Sequence, residues 1–340
     1  MTTLPGDASP LHDNFGEEET PEPGTAAGKA IEGRSLTQIA WSRLKKDKVA
    51  IAAGGVVLFL ILLAILAPLV TGIFGVGDPS KQYPDLLNPD SAMPAGAMGG
   101  ISGDHLLGIE PIGSRDVFSR IVFGSRVSLL IATSASLLSL LIGIVLGVTA
   151  GFFGGIVDMA ISRIMDVFLA FPLLLFALAL AAIISDKFTL LGLTMTGDFL
   201  HISVLIFIIG FFGWPYAGRI VRGQTIALRE REFVDAARVL GARPGRIIRK
   251  ELMPNLIAPI LVYGTLLIPA NILFEAALSF LGVGIRPPTP SWGKMLNDAI
   301  NYFRADPEYL IVPGLAIFIT VLAFNLFGDG LRDAFDPKAH

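Results

Sequence analysis

The residues able to do chemistry gather in one polar stretch, Arg219 to Pro254, set between two hydrophobic segments. It carries nine cations: Arg219, Arg222, Arg229, Arg231, Arg238, Arg243, Arg246, Arg249 and Lys250. No Ser, His and Asp constellation accompanies them, so the chemistry on offer is recognition of a partner rather than bond-making. Phe233, Ala236, Ala237 and Leu240 fall at i, i+3, i+4 and i+7, which predicts a short helix with one apolar stripe and one charged face. Gly241 stops that helix as a left-handed residue, Pro244 can open a second, and Pro254 marks the start of the next apolar span. The product is a helix-Gly-helix knob that a soluble partner can grip. A loop that is merely solvated is the alternative, and its apolar residues argue against it.

The second candidate is Glu275, the carboxylate nearest to membrane depth. Inside a membrane it should face a cavity or a partner; it can equally sit at the outer water boundary, and the sequence leaves both readings open. His12, His105, His201 and His340 have no metal-binding spacing, and His201 reads as an interfacial residue. No Gly-x-Ser-x-Gly elbow or Ser, His and Asp constellation assigns a catalytic residue. No Gly-x-x-x-x-Gly-Lys-Ser/Thr cradle assigns a nucleotide site, so uphill pumping needs an ATPase on another polypeptide. With no cysteine, disulfides and thiolate metal sites are excluded.

The elements that must position these residues are membrane spans. Of 340 residues, 53% are hydrophobic and only 16% charged, too apolar for an average soluble domain. The net charge of −3 conceals an acidic start and a basic centre, and no nucleic-acid partner is implied. Residues 1–34, with Glu17, Glu18, Glu19 and Glu22 among prolines and glycines, are expected to form a disordered acidic tail. Over 35–48, Ser35 and Gln38 have capping-box spacing, Leu36, Ile39, Ala40 and Leu44 make an apolar side, and Trp41 suits a headgroup boundary. That pattern predicts an amphipathic interfacial helix ending at Lys45, Lys46 and Lys48, with a plain juxtamembrane linker as the other reading. Uncharged residues 49–74 form the first span, 75–126 a long loop rich in Pro and Gly, and 127–150 the second span. In the second span Ala135, Ser139, Gly143, Gly147 and Gly151 recur every four residues, which permits close helix approach. The third span, 167–185, is kinked by Pro172; 199–218, 252–274 and 309–328 complete an all-α integral membrane protein of six transmembrane helices with its core over 127–335. Eighteen cations fall on the side of the knob and both termini and eight on the other, which places the knob in the cytoplasm. Arg115, Arg120 and Arg126, just before the second span, run against that rule.

The knob, over 219–254, resembles the EAA loop of ATP-binding-cassette importer permeases, in which Glu-Ala-Ala is followed after three residues by Gly and after nine more by Ile-x-Leu-Pro. Asp235, Ala236, Ala237, Gly241 and Pro254 hold the matching positions, while Asp replaces Glu, Glu251 takes the Ile position and Met253 the Leu position. Further blocks are similar to the second membrane subunit of dipeptide and oligopeptide importers. They are His105-Leu-Leu-Gly108, Arg115-Asp-Val-Phe-Ser-Arg120 and Gly124-Ser-Arg-Val-Ser-Leu129 ahead of the second span, then Gly151-Phe-Phe-Gly-Gly155 and Ala170-Phe-Pro172. Glu275-Ala-Ala-Leu-Ser-Phe-Leu-Gly282, Pro287-Pro-Thr-Pro-Ser-Trp-Gly293 and Asn325-Leu-Phe-Gly-Asp-Gly-Leu-Arg-Asp333 follow, so the resemblance runs from about Ser35 to Pro337.

The resemblance implies a type I importer permease fold and a non-catalytic subunit in the bacterial cytoplasmic membrane with both termini cytoplasmic. It implies a second related permease, two ATPase subunits that bind ATP and Mg, and an extracytoplasmic peptide-binding protein. On this chain it assigns coupling to the ATPase to Glu232, Asp235, Ala236, Ala237, Arg238, Gly241 and Arg243. Permeases for nickel chelates, glutathione or another small solute share these blocks. A secondary transporter or channel would instead require paired intramembrane charges or an inverted repeat, and neither is found.

Overall fold

Inside a bilayer every backbone N–H and C=O must be paired within its own segment, so long apolar runs fold as helices. The computed structural model describes residues 36–183, 187–190 and 193–335; the acidic tail expected over 1–34 lies outside them. Helix α1 (Leu36–Leu44) comes first, and α2 (Lys48–Ile65) starts where the Asp47 carboxylate accepts the backbone N–H of Val49 and Ala50 at 2.9 and 3.0 Å. The run breaks at Leu66, since Pro68 has no N–H to continue the ladder, and resumes as α3 (Ala67–Ile73). Helix α4 (Val117–Phe153) is 37 residues long. Then α5 (Gly155–Ala170) and α6 (Leu173–Ile183) meet at Phe171 and Pro172, and the helical path bends there by 74°. An antiparallel hairpin, β1 (Lys187–Leu190) with β2 (Leu193–Thr196), leads to α7 (Gly197–Arg229), 33 residues long. Next come α8 (Glu232–Val239), α9 (Pro244–Ile247), a π segment over Ile248–Leu252, and α10 (Met253–Phe280). Helices α11 (Trp292–Ala299) and α12 (Pro307–Phe335) complete the described residues.

Among the described residues, five helical runs are long and apolar enough to cross a membrane, and six if the bent α5–α6 pair is one span. The protein is therefore an integral membrane protein of the expected helical class, with the short hairpin as a departure the apolar pattern did not signal. Several expected boundaries are corrected. The polar stretch 219–254 is not a loop: Arg219 to Arg229 belongs to α7, and Pro244 opens a helical run that continues into α10. Likewise residues 117–126 belong to α4, not to the preceding loop. Charge marks where a helix leaves hydrocarbon, not where it ends, and sequence reasoning merged the two.

The small-residue stripe of α4 lies against α7. A Cβ on Gly143 would stand 2.6 Å from the Ala217 Cβ, one on Gly147 2.7 Å from the Gly218 carbonyl oxygen, and one on Gly151 2.7 Å from the Thr225 Cβ. Between them the Ser139 hydroxyl donates across the interface to the Gly210 carbonyl at 2.7 Å. Backbones this close exchange dispersion contacts no larger side chain would allow. A second core joins α2, α4, α10 and α12 through Leu60, Ala132, Ile272, Ala276 and Phe324.

Gly147→Leu should therefore cost more than about 3 kcal/mol and remove folded protein from detergent extracts, read by size-exclusion chromatography. Gly223→Ala, with open space at its Cβ, should change stability by no more than about 1 kcal/mol; equal behaviour of the two would refute the packing role of the stripe.

Candidate coupling site

Between α7 and α9 the chain folds the knob. Helix α8 places Glu232 and Asp235 in its first turn and Arg238 in its last, the order that complements a helix dipole, and Arg238 donates to Asp235 at 2.8 Å. It ends in a Schellman motif. The Ala242 N–H reaches the Ala237 carbonyl at 3.0 Å, the Gly241 N–H reaches the Arg238 carbonyl at 2.9 Å, and Gly241 has φ +76°. Arg243 then caps the approach to Pro244, the first residue of α9. In the π segment the Met253 N–H pairs with the Ile248 carbonyl, and Pro254, which has no N–H, follows without breaking the rod.

The expected apolar stripe does not face inward as a unit. Val234 is fully buried and Ala237 half-buried, both in a cluster with Val148 of α4, Val221 of α7, and Ile247, Leu252 and Leu256. Phe233, Ala236 and Leu240 are exposed instead. The site residues therefore divide. Glu232, Asp235, Ala236, Arg238, Gly241 and Arg243 share the exposed rim, whereas Ala237 helps root the knob in the body. Two further residues belong on that rim. Val239 and Leu240 are 88% and 86% exposed, apolar side chains at the very tip. Their position directly before the helix-ending glycine was the available signal.

Several cations of the stretch are structural. The Arg222 guanidinium grips Asp158 of α5 in a fork, Nε donating to Oδ1 and Nη2 to Oδ2 at 2.7 Å, and Arg219 donates to Asp166 at 2.6 Å. Arg229 donates to the Gly151 and Phe152 carbonyls at 3.1 and 3.3 Å, where α4 runs out of helical partners. The knob is thus braced to α4 and α5 as well as continuous with α7 and α10.

Glu275 stands roughly 33 Å further along α10 at 1.5 Å per residue. It is fully buried, its carboxyl turned to neighbouring side chains of its own chain rather than to water. Its Oε1 accepts from Ser279 at 2.7 Å and its Oε2 from Ser128 of α4 at 2.9 Å, and the Ser128 oxygen accepts the Trp292 backbone N–H at 3.2 Å. The Trp292 indole N–H donates to the Ile121 carbonyl at 3.0 Å. One carboxyl thereby pins α10, α4 and the start of α11 together. Close by, Glu110 accepts from Arg115 through both oxygens at 2.6 Å and from the Tyr309 hydroxyl at 2.9 Å, with the Arg120 Nε 3.4 Å away. Asp116 caps α4 by accepting the Ser119 N–H at 2.6 Å and holds His105 Nδ1 at 2.8 Å. Half-buried Arg115 and buried Arg120 thus act as fasteners of the 74–116 segment rather than loop cations, which explains their departure from the charge rule. Asp306 is nearly buried, and among the described residues no donor meets either carboxyl oxygen in good hydrogen-bond geometry. Burial, then the neighbouring Glu308 carboxyl, raises it to about 6.

The described residues form a helical membrane bundle that presents a braced, arginine-rich knob from the ends of two spans. Residues 143–340 match the model of binding-protein-dependent transport system inner membrane components, and the chain belongs to that family. Residues 35–89 match the N-terminal TM domain of oligopeptide transport permease C. The chain is 40% identical over 299 residues to the dipeptide transport system permease protein DppC of Alkalihalophilus pseudofirmus, covering 88% of this chain and 89% of that one. It is 38% identical to the glutathione transport system permease protein GsiD of Pectobacterium atrosepticum, covering 88% and 90%. The oligopeptide transport system permease protein OppC of Haemophilus influenzae is 37% identical, with 91% and 90% covered. Among solved structures, an inward-facing form of the MetNI methionine ABC transporter superposes with a TM-score of 0.50 at 18% identity, covering 64% of this chain and 97% of that one. That likeness bears out the type I permease fold.

Two outcomes follow from this geometry. Glu275→Ala, which strips Ser128 and Ser279 of their acceptor, should lower stability by about 2–4 kcal/mol in thermal unfolding, and Glu275→Gln by no more than about half as much; equal losses would remove the knot's claim to be a hydrogen-bonded fastener. For Asp306, a folded-state pKa above the ordinary value means that the carboxyl favours the folded state when protonated and opposes it as pH rises through about 6. Asp306→Asn should therefore raise the unfolding temperature at about pH 8, and the gain should vanish below about pH 4.

Proposed function

We propose that this chain is the permease subunit of an ATP-driven importer of dipeptides and short oligopeptides. It forms half of the translocation path beside a second related permease and is worked by two ATPase subunits gripping the knob. The observation that carries the reading is the tip of α8: Val239 and Leu240 are almost wholly exposed on a rim that also carries Arg238, Arg243, Asp235 and Glu232. An apolar centre with a charged rim is the anatomy of a protein interface. The knob and both termini lie in the cytoplasm on the balance of cations, which the buried pairing of Arg115 and Arg120 strengthens.

Energy for transport comes from hydrolysis of ATP, held with Mg by the partner subunits. Closure of those subunits pulls on α8; because α8 is rooted through Val234 and Ala237 in the cluster that joins α4, α7 and α10, the pull moves these helices as one body. At the far end, the 74–116 segment and the Pro287–Trp292 stretch receive an extracytoplasmic binding protein. Dipeptides are favoured as cargo by the relatives named for dipeptide and oligopeptide transport. A glutathione importer is the second reading, supported by the 38% identical relative.

Leu240→Asp tests the assignment. Uptake of a labelled dipeptide should fall by roughly tenfold or more, and the ATPase subunits should no longer copurify, with the unfolding temperature unchanged because Leu240 touches little of its own chain. Undiminished uptake in Leu240→Asp and in Val239→Asp would sink the proposal. Ala237→Arg is a poorer probe, since Ala237 packs against the body and its loss confounds folding with docking.

A further inference from the structure

Of the three arginines ahead of the second span, Glu110 engages two. The third, Arg126, has no carboxylate partner among the described residues, and its guanidinium lies 5.8 Å from the Phe123 ring centroid. It is the last charge before the uncharged run that begins at Val127, the depth at which hydrocarbon gives way to headgroups. On one side of Arg126 a cleft of about 410 Å³ opens between α2 and α4, walled by Ile61, Ala64, Ile65, Leu129 and Leu130. On its other side is a second cavity of about 310 Å³ with Ser80 and Thr289 in its wall. Arg126 and Leu130 line both, so one molecule with an apolar tail and an anionic head can occupy the pair.

The chemistry of the cleft selects the occupant. Its one side-chain hydroxyl, on Thr133, already donates to the Leu129 carbonyl at 2.6 Å, and the Thr289 hydroxyl is engaged by Asp198. A peptide in transit would strand its N–H and C=O groups against such a wall, whereas an acyl chain has none to strand. The helix faces that run on from the cleft, Leu137 and Leu141 of α4 with Leu58 and Leu62 of α2, are aliphatic and exposed. A guanidinium at the mouth supplies the fork that a phosphate oxygen pair fits.

We propose that the α2–α4 cleft is a binding site for an anionic phospholipid, with an acyl chain between the two helices, the phosphate on Arg126 and the headgroup toward Ser80. The full-length protein, extracted with its copurifying subunits and delipidated, would be titrated with phosphatidylglycerol or phosphatidylcholine and its lipid adducts counted by native mass spectrometry. Wild type should retain phosphatidylglycerol about tenfold better, because both lipids offer a phosphate to Arg126 but the choline of phosphatidylcholine sets a second cation beside the guanidinium. Arg126→Gln should abolish that preference, Arg126→Lys should keep most of it, and Leu130→Trp, which fills the cleft, should remove both lipids. The lysine and tryptophan variants keep the test decisive if the glutamine variant fails to fold. Equal retention of the two lipids by wild type, or an unchanged preference in Arg126→Gln, would overturn the proposal. So would a cross-link from position 130 to a neighbouring subunit in place of lipid.

Discussion

Where α4 and α7 cross, backbone meets backbone. Gly143, Gly147 and Gly151 bring α4 against Ala217, Gly218 and Thr225 with no room for another carbon, and Ser139 donates across the gap to Gly210. In lipid no hydrophobic effect draws helices together, so the contact depends on close dispersion and a cross-helix hydrogen bond. The other parts of the molecule lean on it. Helix α7 continues unbroken into the arm of the knob, and α4 extends past the membrane at its other end to carry Arg120 and the Asp116 cap. A side chain in this seam would misplace both ends at once.

The two ends are fastened by different means, each suited to its solvent. At the knob the anchors are ion pairs near water, Arg222 with Asp158 and Arg219 with Asp166, together with Arg229 on the last carbonyls of α4. At the other end the fasteners are buried: Glu275 among serine hydroxyls, and Glu110 between Arg115 and Tyr309. Buried polar groups are costly unless every partner is present, so such knots specify one arrangement of α10, α4 and α11 rather than a range. Helix α10 runs between the two kinds of anchor as one rod, with the π segment absorbing Pro254. Motion imposed on the knob has a stiff route to the far side.

The charge pattern illustrates both the reach and the limit of reading a chain without its fold. Nine cations in 219–254 mark an interaction surface, yet three of them turn out to brace neighbouring helices. Three arginines before the second span look alike in sequence, but two meet Glu110 in the interior and one lies open at the headgroup level. A guanidinium's role depends on which carboxylate or carbonyl the fold brings within reach, and Arg219 and Asp166 are far apart in sequence.

The sequence alone determined the helical membrane class, the approximate spans, the small-residue seam and the helix-ending role of Gly241, because these follow from local backbone preference and from apolar runs matched to bilayer thickness. It also determined that the chain has no phosphate cradle of its own. Only the tertiary structure decided that Glu275 is buried, that Val234 and Ala237 root the knob while Val239 and Leu240 project from it, and that charged segments continue as helix beyond the membrane. Those facts depend on which side of a short helix meets a neighbour, and that face is chosen by long-range packing that no local pattern encodes.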